Sequence, residues 1–320
     1  MNLLKNNRQK IGAVLTVLFL FLFTGSLLYA VSRINMNRTR VLQNKVLQIQ
    51  REKELVQKLA GLRLATTTLP SLTSRAYLTL ALTDNGEKRL LVQKNPGWAL
   101  PIASVTKLMT AIVALEDLNP DTVITATRDY IGLEESAFIL ETDRKYTVRT
   151  LLANMLVSSD NDSARLLSSA LGTINFVDKM NSKAKELNLT KTNFFNVTGL
   201  DPQKPDLNAN LSSPDDLTAL LLYIRSKHPE ILKMTAEPSA QICDVTGFCK
   251  TVTSTDKLLE NKDFNYKIIG GKTGNTDLAG HNLALLTEIY PGISLINIVL
   301  GAEDNFADTL TLINNVIIEN

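Results

Sequence analysis

Histidine and cysteine are scarce in this chain, and a surplus of charge of either sign is missing. Only two histidines, His228 and His281, and two cysteines, Cys243 and Cys249, occur in 320 residues. Neither histidine stands at ligand spacing from a cysteine pair, which disfavours a zinc site. The 34 basic and 32 acidic residues nearly cancel, leaving a formal charge of +2. Nothing in that balance calls for a polyanion, so nucleic-acid binding is disfavoured too. With 44% hydrophobic and 21% charged residues the chain can bury a substantial core, which argues against a disordered or fibrous protein. The cysteines flank the turn-like Asp244-Val245-Thr246-Gly247, with the apolar pairs Ile242-Cys243 and Phe248-Cys249 on either side. They are open to two readings, a disulfide-pinned hairpin or two reduced core residues, and the compartment decides between them.

Residues 11–31 are almost wholly apolar and uncharged, a run matching the roughly 20 residues that a helix needs to cross the hydrocarbon layer. The rival is a cleaved signal peptide. Against it, the run exceeds the about 7–15 residues of such an apolar region, and Leu28-Tyr29-Ala30 offers a bulky Leu where a small residue is preferred. Lys5, Arg8 and Lys10 precede the run and Arg33, Arg38 and Arg40 follow it, so charge alone leaves the orientation undecided.

Arg33 to Arg63 has no Pro and one Gly, with apolar residues at Leu42, Val46, Ile49 and Val56, and reads as a helical stalk. Its heptads are too few for a committed coiled coil and support at most a weak homodimer. Ala65 to Ser74 is rich in small hydroxyl residues and holds Pro70, as linkers do. The expected order is a tail over 1–10, an anchor over 11–31, a stalk over 32–64, a linker over 65–75 and a catalytic domain over 76–320.

Tyr77 to Thr83 and Arg89 to Lys94 flank Asp84-Asn85-Gly86-Glu87, a turn signal that predicts a β-hairpin. Ser104 to Ser226 is mostly helical in period. Strand-like composition returns at Tyr266 to Lys272, Asn282 to Glu288 and Ile293 to Leu300, before a last helix from about Asn305. Strands, then helices, then strands predict an α+β fold in which the first and last strands share one antiparallel sheet.

Val105, Leu108, Met109 and Ile112 form an i, i+3, i+4, i+7 stripe, predicting a buried helix that begins near Ser104. Ser104 and Lys107 then lie one turn apart on one face, close enough for a lysine amine to take the hydroxyl proton. Such a lysine acts as a base only when burial or neighbouring charge lowers its pKa. Ser-x-x-Lys is not specific by itself, for it recurs at Ser182–Lys185 and Ser254–Lys257. Two further motifs occur once each: Ser159-Asp160-Asn161 after the helical run Leu151 to Val157, and Lys272-Thr273-Gly274 closing a strand-like segment. Separately each is an ordinary cap or strand end. Together and in this order they are specific.

On these motifs, and on Asn196-Val197-Thr198-Gly199-Leu200-Asp201, the chain from about Tyr77 onward resembles the serine D-Ala-D-Ala carboxypeptidases, the low-molecular-mass penicillin-binding proteins. The resemblance implies their fold, an antiparallel sheet packed with helices plus an all-helical subdomain, here behind an N-terminal transmembrane helix. It implies a nucleophilic Ser104, Lys107 as its base, Ser159 as proton relay and Asn161 as a ligand of substrate and Lys107. Lys272 and Thr273 would bind the substrate carboxylate, Gly274 would let the peptide approach the backbone, and the N–H groups of Ser104 and Asn275 would hold the oxyanion. No metal or organic cofactor is implied. The implied partners are peptidoglycan stem peptides, β-lactams as inhibitors and the cytoplasmic membrane, with no nucleic acid. The N-terminus would then be inside and the catalytic domain outside, which favours a Cys243–Cys249 disulfide.

Two departures stand out. Many relatives carry Ser-Gly-Asn where this chain has Ser-Asp-Asn, and many continue into a β-rich domain, whereas two strands and one helix should consume the stretch after Gly274. The rivals are a DD-endopeptidase, a β-lactamase and an idle wall-binding scaffold. The lactamase needs a water-activating glutamate, for which Glu186 is the sole candidate, and Ala184 to Thr190 reads as a helix end instead.

Overall fold

The Asn-Gly turn does what its residues demand. In the computed structural model, which describes residues 2–65, 71–132, 140–203 and 208–318, Gly86 takes φ 93° and Thr83 N donates to Glu87 O at 2.9 Å. The chain falls into two units, residues 1–55 and 56–320. The first is helical throughout its described residues, as part of α1 (Asn2–Gly61). Among the described residues, one helix is long and apolar enough to cross a membrane, and it is this one. Within it Thr16 Oγ1 donates to Gly12 O and Thr24 Oγ1 to Leu20 O, both at 2.9 Å, which satisfies these hydroxyls inside the helix.

In the second unit, β1 (Leu62–Leu64) follows the helix directly, so the expected stalk ends in three extended residues. Residues 66–70 of the expected linker lie outside the described residues. The hairpin is β2 (Ala76–Thr83) and β3 (Lys88–Lys94), followed by the short β4 (Leu100–Pro101). A 3₁₀ turn over Ala103–Thr106 leads into α2 (Lys107–Asp117). A ribbon, β5 (Val123–Thr125) with β6 (Lys145–Thr147), precedes α3 (Val148–Val157), α4 (Asn161–Ser169) and α5 (Thr173–Glu186). Then come β7 (Leu211–Ser212), α6 (Pro214–Lys227), α7 (Pro229–Thr235), β8 (Ser239–Cys243) and β9 (Cys249–Thr253). A second 3₁₀ turn, Lys257–Leu259, is followed by β10 (Lys267–Thr276), β11 (Gly280–Tyr290), β12 (Ile293–Ala302), α8 (Asn305–Asn314) and β13 (Val316–Ile318).

Five strands make one antiparallel sheet in the order β10-β11-β12-β2-β3, with Ala76 of β2 opposite Leu300 of β12. The α+β reading therefore holds, first and last strands sharing a sheet. β12 is apolar along most of its length because both faces are covered: Ile296, Ile298 and Leu300 join the main core with α2 and α3, while Val299 packs with Leu312 of α8. Helix starts follow the caps: Thr147 Oγ1 accepts from Thr150 N, Asp160 Oδ2 from Ser163 N, and Ser213 Oγ from Asp216 N, ahead of Pro214 at the first position of α6.

Three strand pairs were not expected. β5–β6 interrupts the helical region, β4 pairs with β7, Leu100 opposite Ser212, and β1 pairs with β13, Leu62 opposite Ile318. The cysteine choice resolves as a disulfide, Cys243–Cys249, closing the β8–β9 hairpin. Asp244 organises its turn, accepting from Thr246 N, Thr246 Oγ1 and Phe248 N, and its carboxyl is held well below the usual range by Thr246 and then by Arg144.

Candidate active site

Ser104 does not open an α-helix. It sits in the 3₁₀ turn, after Ala103 at φ 47°, and the α-helix begins only at Lys107. In a 3₁₀ turn residues i and i+3 eclipse, which sets Lys107 over Ser104 more directly than the expected α-helical turn. Nζ lies 2.7 Å from Ser104 Oγ, 2.7 Å from Asn161 Oδ1 and 2.9 Å from Thr198 O. Lys107 is wholly buried. As an ammonium it has three protons and meets three acceptors here; to serve as base it must release one and accept from the Ser104 hydroxyl instead.

Three successive residues at the junction of α3 and α4 serve three purposes. Ser159, in the left-handed region at φ 61°, turns its Oγ to accept from Lys272 Nζ at 2.9 Å. Asp160 caps α4, burial pushing its carboxyl up against the pull of that cap. Asn161 reaches Lys107. A non-glycine residue held at positive φ costs about 1–3 kcal/mol and persists only where its surroundings over-determine it. Ala103 and Ser159 both fit that description, one beside Ser104 and one within the second motif.

The third motif lies inside β10, which runs on to Thr276, beyond its expected end at Lys272. Lys272 Nζ also donates to Thr273 O at 3.1 Å, and Thr273 Oγ1 shares a 2.6 Å bond with Thr255 Oγ1. Burial pushes the Lys272 ammonium down to about 7, opposed by the carboxylate of Asp256. Gly274 has a reason within the chain: a Cβ there would stand 2.6 Å from Ile102 O and 3.0 Å from Ser104 N. The strand thus presses on the turn that carries Ser104, with Asn275 next along it.

The segment Asn196–Asp201 forms the bed under Lys107. Asn196 Oδ1 accepts from Thr198 N at 3.1 Å and Gly199 N at 2.6 Å, aiming Thr198 O at the amine. Asn210 ties this turn to Thr106 Oγ1 at 3.0 Å, and Thr110 Oγ1 donates to Val197 O at 2.8 Å. Asp201 takes Thr276 Oγ1 at 2.6 Å and Leu278 N at 2.9 Å, fastening the segment to the end of β10.

A cavity of about 340 Å³ opens over Ser104, with Ser159, Thr273, Gly274 and Asn275 on its walls and Thr255, Lys257, His281, Asn305 and Phe306 completing its lining. A larger hollow, about 540 Å³, lies beside Asn196 to Asp201 and does not include Ser104. Of the eight residues singled out in sequence, Ser104, Ser159, Thr273, Gly274 and Asn275 line the smaller cavity; Lys107 joins it through Ser104, Asn161 through Lys107, and Lys272 through Ser159. Of the two other Ser-x-x-Lys matches, Ser182 and Lys185 are exposed on α5. Ser254–Lys257 is not a second nucleophile, yet it supplies Thr255, Asp256 and Lys257 to the site, which the sequence reading missed. Glu186 ends α5 with its side chain 61% exposed and 2.6 Å from Lys183, away from the cavity. Among the described residues no group of three or more His, Cys, Asp or Glu is placed to hold a metal.

Residues 35–304 match the sequence family described as D-alanyl-D-alanine carboxypeptidase. The D-alanyl-D-alanine endopeptidase of Pseudomonas aeruginosa is 31% identical over 240 residues, 72% of this chain and 74% of that protein. The D-alanyl-D-alanine carboxypeptidase DacB2 of Mycobacterium tuberculosis is 32% identical over 197 residues, 61% and 64% of the two chains. Among solved structures, penicillin-binding protein D2 from Listeria monocytogenes, in an ampicillin-bound form, superposes with TM-score 0.65 at 32% identity, covering 77% of this chain and 98% of its own.

Proposed function

This chain belongs to the D-alanyl-D-alanine carboxypeptidase family and is a serine peptidase, and from that premise we propose how its residues divide the reaction. Ser104 Oγ attacks the carbonyl carbon between two terminal D-alanines of a peptidoglycan stem peptide, while Lys107 Nζ takes the hydroxyl proton. The N–H groups of Ser104 and Asn275 hold the oxyanion. Ser159 Oγ passes a proton to the departing amine of the last D-alanine, and the acyl-enzyme is then hydrolysed by water. Lys272 and Thr273 hold the substrate's carboxylate; Asn161 binds its amide and steadies Lys107. The observation that carries this reading is Lys107 Nζ at 2.7 Å from both Ser104 Oγ and Asn161 Oδ1, joined to the wall where Lys272 meets Ser159.

The same machinery serves an endopeptidase, the activity named for the Pseudomonas relative, with a larger leaving group. A penicillin enters the same acylation step, as the ampicillin-bound Listeria neighbour suggests. The distance of Glu186 from the cavity weighs against a lactamase. We place residues 1–10 in the cytoplasm, the anchor at 11–31 and the catalytic domain, from residue 76, outside the membrane. The apolar stretch of α1 and the location of the substrate support that placement.

Intact-mass analysis of the full chain in detergent after incubation with a penicillin tests the proposal. The expected result is an adduct of one drug mass that is lost in Ser104→Ala. Released hydrolysed drug without an adduct would indicate the lactamase, and untouched drug a scaffold.

A second expectation concerns pH. The carboxylate contact needs the Lys272 ammonium, which burial brings down to about 7 against a free-lysine value of about 10.4. Below that point the cation is present; above it the cation is lost, and binding a carboxylate then requires the Lys272 amine to take up a proton. KM for a D-Ala-D-Ala peptide should therefore rise above pH about 7, by up to about tenfold per pH unit. A KM flat to pH 9 would exclude Lys272 as the carboxylate's partner.

A further inference from the structure

Asp256 is 6% exposed, and its carboxylate is held in place from one side: Oδ1 accepts from Leu258 N at 3.0 Å, and its own N–H donates to Ser254 Oγ at 3.1 Å. Its other oxygen, Oδ2, is buried and finds no hydrogen-bond donor among the described residues. An ionised oxygen left this way is costly unless a charge nearby compensates it. That charge is Lys272, itself 2% exposed. The residue before Asp256 ties its loop to the site twice, by Thr255 N to Val157 O at 3.2 Å and by the Thr255–Thr273 hydroxyl bond at 2.6 Å.

The two charges attract without touching. Lys272 Nζ gives protons to Ser159 Oγ at 2.9 Å and Thr273 O at 3.1 Å, and has only a 3.5 Å contact to Thr273 Oγ1 for the third. A direct bond to Asp256 would consume that third proton and turn the ammonium inward. A counter-charge acting through space leaves it for an incoming anion. Among the described residues the elements packed around β10 offer no substitute anion beside Lys272: α7 meets the strand through Thr235 Oγ1, which accepts from Gly271 N, with Glu230 and Lys233 elsewhere on the helix; Asp201 is engaged by Thr276 Oγ1 and Leu278 N at the strand's far end, and the cavity's other titratable groups, Lys257 and His281, carry no negative charge. β11 sets Ala284 opposite Lys272. The nearest catalytic cation, Lys107, is engaged by Ser104, Asn161 and Thr198.

We propose that Asp256 is a positioning residue, the buried counter-charge that keeps Lys272 charged and leaves its outward proton for the substrate's carboxylate. This rests on the acyl-enzyme reading above and deepens it. Burial pushes the carboxyl of Asp256 up and the amine of Lys272 down, while each partner's charge resists the other's shift. Removing one charge therefore makes the other easier to lose.

The experiment compares the full chain with Asp256→Asn between pH 6 and 9, using a D-Ala-D-Ala peptide and the carboxylate-free ester p-nitrophenyl acetate. The expected result is an alkaline limb of kcat/KM moved about one unit toward acid for the peptide, a loss of about tenfold at pH 8. The loss should lie in KM rather than kcat, with acylation by the ester unchanged. Lys272→Arg, whose guanidinium stays charged without help, should have no such limb, and adding Asp256→Asn to it should create none. An unmoved limb, or equal losses with peptide and ester, would overturn the role of Asp256. If Asp256→Asn does not fold, ¹³C NMR of the wild-type chain decides, because Asp256 Cγ must report the titration of Lys272 and independent steps would overturn the coupling. A missing penicillin adduct at Ser104 in the wild type would overturn the underlying reading first.

Discussion

Lys107→Met should slow acylation of Ser104 by a penicillin by about 10²–10⁴-fold, the range a positioned general base supplies. Methionine matches the lysine stem in length and fits a site with no exposure, so the change removes the amine while keeping most of the packing. It also strips the partner from Asn161 Oδ1 and Thr198 O, each worth about 1–3 kcal/mol if left buried and unpaired. Against that loss, the cost of burying an amine disappears. The two effects oppose each other in stability and not in rate, so the melting point should move little while the rate collapses. Lys107→Arg separates base from cation: it keeps the charge but cannot release a proton, and should be as slow as the methionine variant. Stopped-flow acylation with a fluorescent penicillin reads both. A rate within tenfold of wild type in either folded variant would remove Lys107 as the base.

Gly199→Ala should be the most damaging single-methyl change in the catalytic unit. Gly199 has φ 85°, and a Cβ there would stand 1.9 Å from Ala103 O, 2.3 Å from Ala103 C and 2.9 Å from Thr106 Oγ1. Two of those neighbours are backbone atoms of the turn that carries Ser104 and have no rotamer by which to withdraw. Either Gly199 or that turn must shift by an ångström or more, a displacement that can cost about 10²-fold in rate. Thr198 O would move with it, taking away one of the three ligands of Lys107. Gly172→Ala is the matched control, with φ 79° but no atom within 4 Å of the added methyl. It should cost about 1 kcal/mol, the conformational part alone. Melting curves and penicillin acylation on both variants test this. Equal behaviour of the two would show that the close approach to Ala103 is not what makes position 199 a glycine.

Much of this was legible beforehand, and what was not shares a physical cause. The hairpin around Asn85-Gly86, the three late strands and the three motifs are local patterns of side chains, and each announces itself within about ten residues. The third ligand of Lys107 is a backbone carbonyl, Thr198 O, and a carbonyl has no signature of its own. Asn196, Asn210 and Thr110 aim it, yet each alone reads as an ordinary polar residue. Asp256 was hidden differently: its segment was noticed only as a failed nucleophile motif, and the burial that makes its charge matter is a property of the fold. The 3₁₀ turn at Ser104 escaped because its apolar stripe is that of the α-helix it precedes. The β1–β13 pair escaped because strands of three residues are too short to show alternation.

The order of strands in the main sheet has a consequence in time. β2 is made early, yet it lies between β3 and β12, and Ala76 waits for Leu300. Until the chain has been synthesised through β12, the hairpin β2–β3 has one edge unpaired and no sheet to join. A two-stranded hairpin is marginal by itself. The helices from α2 to α7 emerge during that interval and can form local contacts first, but the sheet against which many of them pack arrives last. Most of the loop-closure cost thus falls on one late event. A newborn copy of this chain spends the growth of most of its length as helices awaiting a floor.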